Sequence, residues 1–316
     1  MMTNLQRSSD RPDASGRQVT LSLGRAFEEL RHALELTPLQ ESTVAERQSR
    51  IRKVVSESLS VTGDFLTGSY ARHTLIAPLA QADVDVVLIL DPRYRSTGPR
   101  GVLDSVRDVL KASYPHTTAI SRNGQEVTVR FSDFVVDVVP AFSRSGWDRF
   151  WGSNAPFQIC NSITSEWINT DPGKHIEIGA NANKLHDGGL VPRIKQLKGW
   201  NRAAGEPLRS FHLEVLAWRI FGISWPGHKQ PSDWIAVRYF LDRLRGELPN
   251  RQQDPAGSDG DVGAYLTGRR LEEAVHSAEV AYNRCVMAEM ASEHGDLKAM
   301  HYLYSLVFGE YYPTTS

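Results

Sequence analysis

The sequence predicts an α+β fold in which a sheet with flanking helices is followed by an all-helical lobe, so that the chain is bilobal with a cleft between the lobes. Two observations predict this class. Short runs rich in Val, Ile and Phe fall between residues 63 and 139 and have the pattern of strands. Residues 193–308 instead place apolar residues at helical spacing and contain no further strand-like run. A chain of 316 residues with 41% hydrophobic content can bury a sizeable core.

The N-terminal part of the chain divides into a lead and two helices. Residues 1–20 are polar and have no apolar stretch, so we expect a disordered lead and no secretory signal. Apolar residues then recur at helical spacing from Leu23 to Leu34, which predicts a first helix. Thr37 and Pro38 interrupt this pattern, and a second helix is expected over roughly Leu39–Leu59.

The central part is expected to form the sheet. Its strands are predicted at Gly63–Thr67, Val84–Leu90, Thr117–Ser121, Glu126–Phe131 and Phe134–Val139, with a helix at Gly101–Ser113. The following segment, Ser143–Pro192, is expected to be rich in loops, and its aromatic residues Trp147, Trp151, Phe157 and Trp167 to pack along the cleft. A polar stretch in the helical half, Glu247–Gly263, is expected to be a flexible loop.

Acidic residues stand out within two of these predicted strands. Asp83 and Asp85 alternate with Val84, so both carboxylates lie on one face of the strand. Asp137 is the charged residue within Phe134–Val139, where a buried strand normally excludes a charge. Such carboxylates repel one another unless a cation binds them, and Mg²⁺ prefers hard carboxylate oxygens. Two Mg²⁺ ions about 3.5–4 Å apart, with Mn²⁺ as a substitute, would support phosphoryl or nucleotidyl transfer.

A Gly-Ser pair precedes the acidic strand. Gly68 lets the backbone approach a ligand closely, and Ser69 then offers a hydroxyl and a backbone N–H at the start of a helix, where a phosphate is favoured. Taken singly, each feature has a structural explanation: Ser69 as a helix cap, the Asp-x-Asp pair as a strand end, and Asp137 as a buried partner of an arginine. Their combination favours a nucleotide site.

The combination resembles the DNA polymerase β-like nucleotidyltransferase superfamily. Four later segments extend the resemblance to one branch, the cGAS/DncV-like nucleotidyltransferases (CD-NTases) and their oligoadenylate synthetase relatives. These segments are EWINTDPGKH (166–175), RIKQLKGWNR (193–202), SFHLEVLAW (210–218) and DPAGSDGDVGAYL (254–266). The resemblance implies a polymerase β-like catalytic lobe over residues 21–190, braced by the N-terminal helices, and an oligoadenylate synthetase-like helical lobe over residues 191–316.

The resemblance also implies an activity. It is the synthesis of a cyclic di- or trinucleotide second messenger from nucleoside triphosphates, ATP among them, for antiphage (CBASS-type) defence. In the family, a lysine before an aromatic residue contacts the triphosphate, a place that Lys198 fits, with Lys195 one turn earlier on the same face. Ser210 would meet a phosphate and Phe211 would stack on a base. Glu214 is expected to make a structural ion pair. A defence-operon effector or regulator is an implied partner.

Composition limits the other possibilities. The formal net charge of −1 and a pI near 6.8 argue against a surface devoted to nucleic acid, so no obligatory nucleic acid is expected. The sequence has no apolar run long enough for a transmembrane helix. The two cysteines, Cys160 and Cys285, form no metal-ligand pattern, and a reducing cytoplasm is the expected location.

Three other interpretations stay open. The first is a terminal nucleotidyltransferase that extends RNA or modifies a small molecule. The second is a linear 2′–5′ oligonucleotide synthetase activated by double-stranded RNA, which requires a basic stripe such as Arg47, Arg50, Arg52 and Lys53. The third is a non-catalytic nucleotide-binding scaffold, and three mutually repelling carboxylates argue against it because a scaffold has no use for them.

Overall fold

The computed structural model describes residues 21–117, 119–144, 156–224, 231–257 and 260–314. Within these ranges the chain has an α+β fold, and the predicted fold class is confirmed. The predicted lead, residues 1–20, lies outside the described residues, as do Trp147 and Trp151.

The described part of the chain contains one mixed sheet of seven strands. Five strands follow the order β1-β2-β5-β4-β3, and β6 extends the sheet by pairing with both β5 and β7. Only the central pair, β2 and β5, is parallel within this described sheet. The strands are β1 Val61–Leu66, β2 Asp83–Leu90, β3 Ile120–Asn123, β4 Glu126–Arg130, β5 Val135–Ser143, β6 Phe157–Asn161 and β7 Glu166–Thr170.

Two sequence predictions about the sheet were wrong in detail. The third strand begins later than predicted, at Ile120, because the residues before it form a turn that follows a helix. The segment Ser143–Pro192 was expected to be rich in loops, but it contains the hairpin of β6 and β7 and a helix at Pro172–Leu185. Both hairpin strands are half-polar, and β7 pairs with β6 alone among the described strands, so their sequences lack a clear apolar alternation.

Helices surround this sheet in the described part of the chain. The predicted break between the first two helices is confirmed, because Thr37 caps the second helix through a reciprocal pair of hydrogen bonds with Gln40 and Pro38 occupies its first position. The described helices are α1 Leu23–Leu34, α2 Pro38–Ser56, α3 Gly68–Ala71, α4 Gly98–Ser113, α5 Pro172–Leu185, α6 Leu190–Ala203, α7 Ser210–Ser224, α8 Asp233–Glu247, α9 Arg269–Glu293 and α10 Leu297–Phe308.

Two large hydrophobic clusters form the core. In the first, α2 and α4 cover the sheet, with Ile51 and Val106 packed against buried strand residues such as Val86. In the second, α6 to α10 pack together around Trp200. Helix α1 joins the second cluster, because Phe27 makes edge-to-face contacts with aromatic residues of the helical half. The first helix, which the sequence placed with the catalytic lobe, therefore packs in the helical half.

Candidate active site

A cleft of about 1070 Å³ lies between the sheet and the helical half. Its sheet side is formed by β2, β4 and β5 together with the Gly-Ser turn, and its helical side by α5, α6, α7 and the start of α9. Of the predicted site residues, eight line this cleft: Gly68, Ser69, Asp83, Asp85, Asp137, Lys198, Ser210 and Phe211. Lys195 does not line it.

The acidic residues come together because β2 and β5 are neighbours. The register places Asp85 directly opposite Asp137, with Asp83 two residues earlier on the same face of β2. The alternate residues Val84 and Val136 face the core and are buried. Asp83 is exposed, Asp85 is half-buried and Asp137 is buried, so the carboxylates run from the mouth of the cleft towards its floor.

Burial and mutual repulsion dominate the electrostatics of these aspartates. Burial, together with the neighbouring Asp137 and Asp83, raises the pKa of Asp85 from 3.8 to about 7, against the opposing effect of Arg72 and Lys198. Burial also raises the pKa of Asp137 and of Asp83. Protonated carboxyls bind cations poorly, and a cation that binds here would return them to the ionised form.

Glu126 is a fourth acid beside the three aspartates on the sheet side of the cleft, and sequence reasoning missed it. It is the first residue of β4, two residues before Thr128, which lies opposite Asp137 in the register. It lines the cleft on the same face of the sheet as Asp137. Burial and the three aspartates raise its pKa from 4.5 to about 7. The signal available in the sequence was its place at the start of a predicted strand, which does not distinguish it from a solvent-exposed strand end.

The Gly-Ser turn contacts the acidic strand directly. The Thr67 N–H donates to the carbonyl oxygen of Asp85 at 3.0 Å, which ties the turn to β2. Gly68 follows with φ of +64°, and a Cβ atom at this position would lie 1.7 Å from Oδ2 of Asp85. Glycine is required here both for the backbone conformation and for the space that the Asp85 carboxylate occupies. Ser69 lines the cleft beside it.

Lys198 belongs to a buried ion-pair network. Glu214, fully buried, accepts from Lys198 Nζ at 2.7 Å and from Arg72 Nε at 2.7 Å, and Lys198 Nζ also donates to Thr74 Oγ1 at 3.2 Å. Burial alone would raise the pKa of Glu214, but the two cations hold it at about 2. Glu214 therefore makes the structural ion pair that the sequence predicted. Two cations at the wall of the cleft, Lys198 and Arg72, share its single negative charge.

Lys195 lies elsewhere. It is three residues from Lys198 on α6, but its ammonium group pairs with the Glu35 carboxylate at the end of α1. The sequence predicted a shared helix face and a shared role in triphosphate binding. The packing of α1 against α6 instead gives the two lysines different partners, so Lys195 contacts the junction of α1 and α2 and not the cleft.

Other cations complete the cleft wall. Arg202 lies one turn after Lys198 on α6 and donates to the carbonyl oxygens of Ala77 and Gln81 across the cleft. Arg209 and Arg270 also line the cleft, and the Arg209 guanidinium lies 4.4 Å from the centroid of the Tyr265 ring. Sequence reasoning did not single out these arginines, although the spacing of Arg202 from Lys198 places both on one helix face.

Phe211 is half-buried at the start of α7 and lies beside Ser210 in the cleft lining. Its ring is held by three neighbours: the Arg72 guanidinium lies 5.0 Å from the ring centroid, the His175 ring is 4.9 Å away at 63°, and the Trp218 ring is 6.2 Å away at 77°. His175 is itself fixed by a 2.7 Å contact with Asp254 of the long loop before α9. The aromatic side chain is therefore rigidly placed at the cleft surface.

The donor set of the cleft suits a hard divalent cation. Asp85 and Asp137 offer carboxylate oxygens on adjacent strands, and the absence of a side chain at Gly68 leaves room for the Asp85 carboxylate itself. Among the described residues, no group of three or more His, Cys, Asp or Glu side chains is placed so that it could hold a metal ion. A pair of carboxylates agrees with the way Mg²⁺ is bound in phosphoryl-transfer enzymes, where substrate phosphates and water supply the other ligands.

The raised pKa values of these acids predict how the stability of the metal-free protein changes with pH. Because the pKa of Asp85 and of Glu126 is raised to about 7, the folded protein holds protons that the unfolded chain has already released above pH 4 to 5. We therefore expect the metal-free protein to lose on the order of 1–3 kcal/mol of stability between pH 5 and pH 8 from these groups. Thermal melting with and without Mg²⁺ measures this, and Mg²⁺ should raise the melting temperature more at pH 8.

Asp85→Asn isolates the contribution of one acid to this pH dependence. The variant removes a titrating carboxyl and weakens the repulsion on its neighbours, so its melting temperature should fall less between pH 5 and pH 8 than that of the wild type. Identical pH profiles for the variant and the wild type would contradict the assignment.

The fold and the acidic cleft define the class of protein: a nucleotidyltransferase with a polymerase β-like sheet. The family described as "Second Messenger Oligonucleotide or Dinucleotide Synthetase domain" matches residues 21–183, just over half of the chain. The chain belongs to this family and is a cGAS/DncV-like nucleotidyltransferase. The match includes the Gly-Ser turn and all three aspartates.

Individual relatives agree with the family. A probable cyclic nucleotide synthase of Bacillus cereus strain VD146 is 24% identical over 280 residues, which cover 78% of this chain and 81% of the relative. Among solved structures, CdnC of E. coli MS115-1 with ATP aligns with a TM-score of 0.73 at 16% identity, covering 92% of this chain and 99% of that one. Vibrio cholerae DncV, a cyclic AMP-GMP synthase in complex with a linear intermediate, aligns with a TM-score of 0.66 at 15% identity over 92% and 86%.

The candidate basic stripe on α2 is largely engaged within the molecule. Arg47 pairs with Asp133 and lies 4.3 Å from the centroid of the Phe131 ring, while the Arg50 guanidinium lies 5.6 Å from the centroid of the Tyr114 ring. Arg52 pairs with Asp64. These contacts hold α2 against the sheet.

Among the described residues, no helix has the length and apolar character needed to cross a membrane.

Proposed function

We propose that this protein joins nucleoside triphosphates into a cyclic di- or trinucleotide second messenger, releasing pyrophosphate at each transfer. The observation that carries the proposal is the pairing of Asp85 with Asp137 across two parallel strands, with the Gly68 backbone directly against the Asp85 carboxylate. This arrangement brings hard oxygen donors and a close-approaching turn to one point of a large cleft.

The residues of the cleft have distinct roles in this reaction. Ser69 and Lys198 hold the triphosphate of the donor nucleotide, and Arg202 adds positive charge on the same helix face as Lys198. Asp83, Asp85 and Asp137 would hold two Mg²⁺ ions. Ions held there would lower the pKa of the attacking ribose hydroxyl and would neutralise charge at the α-phosphate and the leaving pyrophosphate. Asp137 orients the acceptor hydroxyl for in-line attack, Ser210 meets a phosphate and Phe211 stacks on a base.

The size of the cleft supports two nucleotides in place of one. Its volume of about 1070 Å³ slightly exceeds the range of roughly 300–1,000 Å³ for pockets that hold one drug-sized ligand. A donor and an acceptor can therefore lie together, and the linear intermediate can be rebound for the second transfer that closes the ring. ATP is proposed as one substrate, in keeping with the ATP complex of the similar CdnC.

The biological setting is part of the proposal. A cyclic nucleotide product is useful only with a receptor, so we place the enzyme in an antiphage (CBASS-type) system with a nucleotide-activated effector. The cysteines Cys160 and Cys285 are both free and buried, in keeping with a reducing cytoplasm.

The test is product analysis. The purified protein is incubated with all four nucleoside triphosphates and Mg²⁺ or Mn²⁺, beside the double variant Asp83→Ala/Asp85→Ala, and products are resolved by mass spectrometry. Asp108→Asn, a change at an exposed surface ion pair on α4, is the matched control. Phosphatase-resistant cyclic products from the wild type and the control, absent from the double variant, support the proposal.

Other outcomes of the same experiment are equally informative. Linear or tailed products that end in a free phosphate or ribose would replace the proposal by a linear oligonucleotide synthetase or an RNA-extending enzyme. Nucleotide binding by calorimetry without any product in either metal, from wild type and variants alike, would favour the non-catalytic scaffold.

A further inference from the structure

Thr128 is the residue that faces Asp137 across the β4–β5 pair. The antiparallel register puts the two directly opposite each other, on the sheet face that forms the floor of the cleft. Thr128 is buried, with 2% of its surface exposed. A buried hydroxyl needs a partner, and its partner here is the most buried of the three aspartates.

The hydrogen-bond directions in this cluster are fixed by proton count. The Asn123 amide Nδ2 donates to Thr128 Oγ1 at 2.6 Å, so the hydroxyl oxygen acts as the acceptor of that bond. The single hydroxyl proton of Thr128 is then free to be donated to Asp137 Oδ1, also at 2.6 Å. The three side chains form a directed chain that begins on β3 and ends at the acidic floor of the cleft.

The same contact distinguishes Asp137 from the other two acids. Among the described residues, the side chains of Asp83 and Asp85 have no hydrogen bond to the protein, and Asp85 is confined instead by the Gly68 backbone. Asp137 has its Oδ1 held by the Thr128 hydroxyl, which fixes the orientation of the carboxylate and leaves Oδ2 for a cation.

We propose that Thr128, oriented by Asn123, is a positioning residue for Asp137 that sets the affinity of the cleft for divalent metal. The proposal rests on the proposed function, because it assumes that the three aspartates bind a cation. It adds that affinity depends on a neutral hydroxyl that never touches the metal. Loss of an orienting hydrogen bond of this kind typically weakens metal binding about 10–100-fold.

The experiment compares Thr128→Val with Thr128→Ser. Valine keeps the shape of threonine and removes the hydroxyl, whereas serine keeps the hydroxyl and removes a methyl group. Mn²⁺ binding is measured on the full chain without nucleotide, by electron paramagnetic resonance of the free ion. We expect Thr128→Val to bind Mn²⁺ about 10–100-fold more weakly and Thr128→Ser to stay within a few-fold of the wild type. Wild-type affinity in Thr128→Val would overturn the proposal.

Further arms separate the possible failures. Asn123 is exposed, so Asn123→Ala tests the same chain of hydrogen bonds without disturbing the core. This variant should also weaken Mn²⁺ binding, and it replaces Thr128→Val as the test if Thr128→Val does not fold. Unchanged Mn²⁺ affinity in a folded Asn123→Ala would then count against the proposal. If the wild type bound no Mn²⁺ in this assay but formed the cyclic products of the preceding test, the positioning role would fail and the proposed function would stand. Weak binding in Thr128→Val together with strong wild-type binding supports both.

Discussion

Asp85→Asn is expected to abolish nucleotide transfer, with a loss of about 10³-fold or more, equivalent to about 4 kcal/mol in the barrier. Asparagine has the shape of aspartate but only one oxygen and no charge, so the pair with Asp137 can no longer hold a divalent cation between strands β2 and β5. The rate is measured as product formed per enzyme at saturating nucleotide and Mg²⁺, with Asp108→Asn as the control.

The same variant, Asp85→Asn, should lose activity without losing stability. The raised pKa of Asp85 shows that its charge is unfavourable in the metal-free protein, so asparagine should leave the metal-free protein as stable as the wild type or more stable at pH 8. Inactivity caused by unfolding would instead lower the melting temperature. An active Asp85→Asn protein would refute the role given to this residue.

Gly68→Ala is expected to lower activity by about 10²-fold or more, because a displacement of about 1 Å at a reacting centre is enough for such a loss. The added Cβ atom would lie 1.7 Å from Oδ2 of Asp85, so either the turn or the carboxylate must move. The backbone cost of a non-glycine residue with positive φ is about 1–2 kcal/mol, which the whole protein should survive.

Gly98→Ala is the matched control for this variant. Gly98 has φ of +73°, close to that of Gly68, but a Cβ atom there would meet nothing within 4 Å. Both alanine variants should lower the melting temperature, whereas only Gly68→Ala should lose activity and Mn²⁺ binding. Equal activity in the two variants would mean that close approach of the turn to Asp85 has no part in catalysis.

The acidic strand and the turn could be predicted from sequence because their signals are local. Asp83 and Asp85 alternate with valines inside one strand, and Asp137 is a charge within another, so strand geometry alone orients them. The contribution of Thr128 could not be predicted, because it depends on the register of β4 against β5. A shift of one residue would point its hydroxyl to the other face of the sheet.

The lysines show where helical spacing stops being informative. Lys195 and Lys198 are three residues apart, and from this spacing the sequence predicted a shared helix face and a shared role. Which partner each meets is decided by other elements: Glu35 at the end of α1 for one, and Glu214 of α7 for the other. The β6–β7 hairpin was missed for a related reason, because β6 is defined by its pairing with β5, and β7 by its pairing with β6, and neither by its own composition.

The parallel pairing of β2 with β5 also constrains how the chain reaches its active form. Asp85 and Asp137 belong to strands separated by α4 and by the β3–β4 hairpin, so this pairing closes a long loop, whereas the hairpin itself is a local contact. Non-local strand pairing is slow compared with helix and hairpin formation. The acidic pair therefore comes into being late in folding, and a nascent chain still emerging before β5 has no active site. If a divalent cation binds the acidic pair, it favours the completed pairing of β2 with β5 by mass action, so that cation binding and sheet formation stabilise each other.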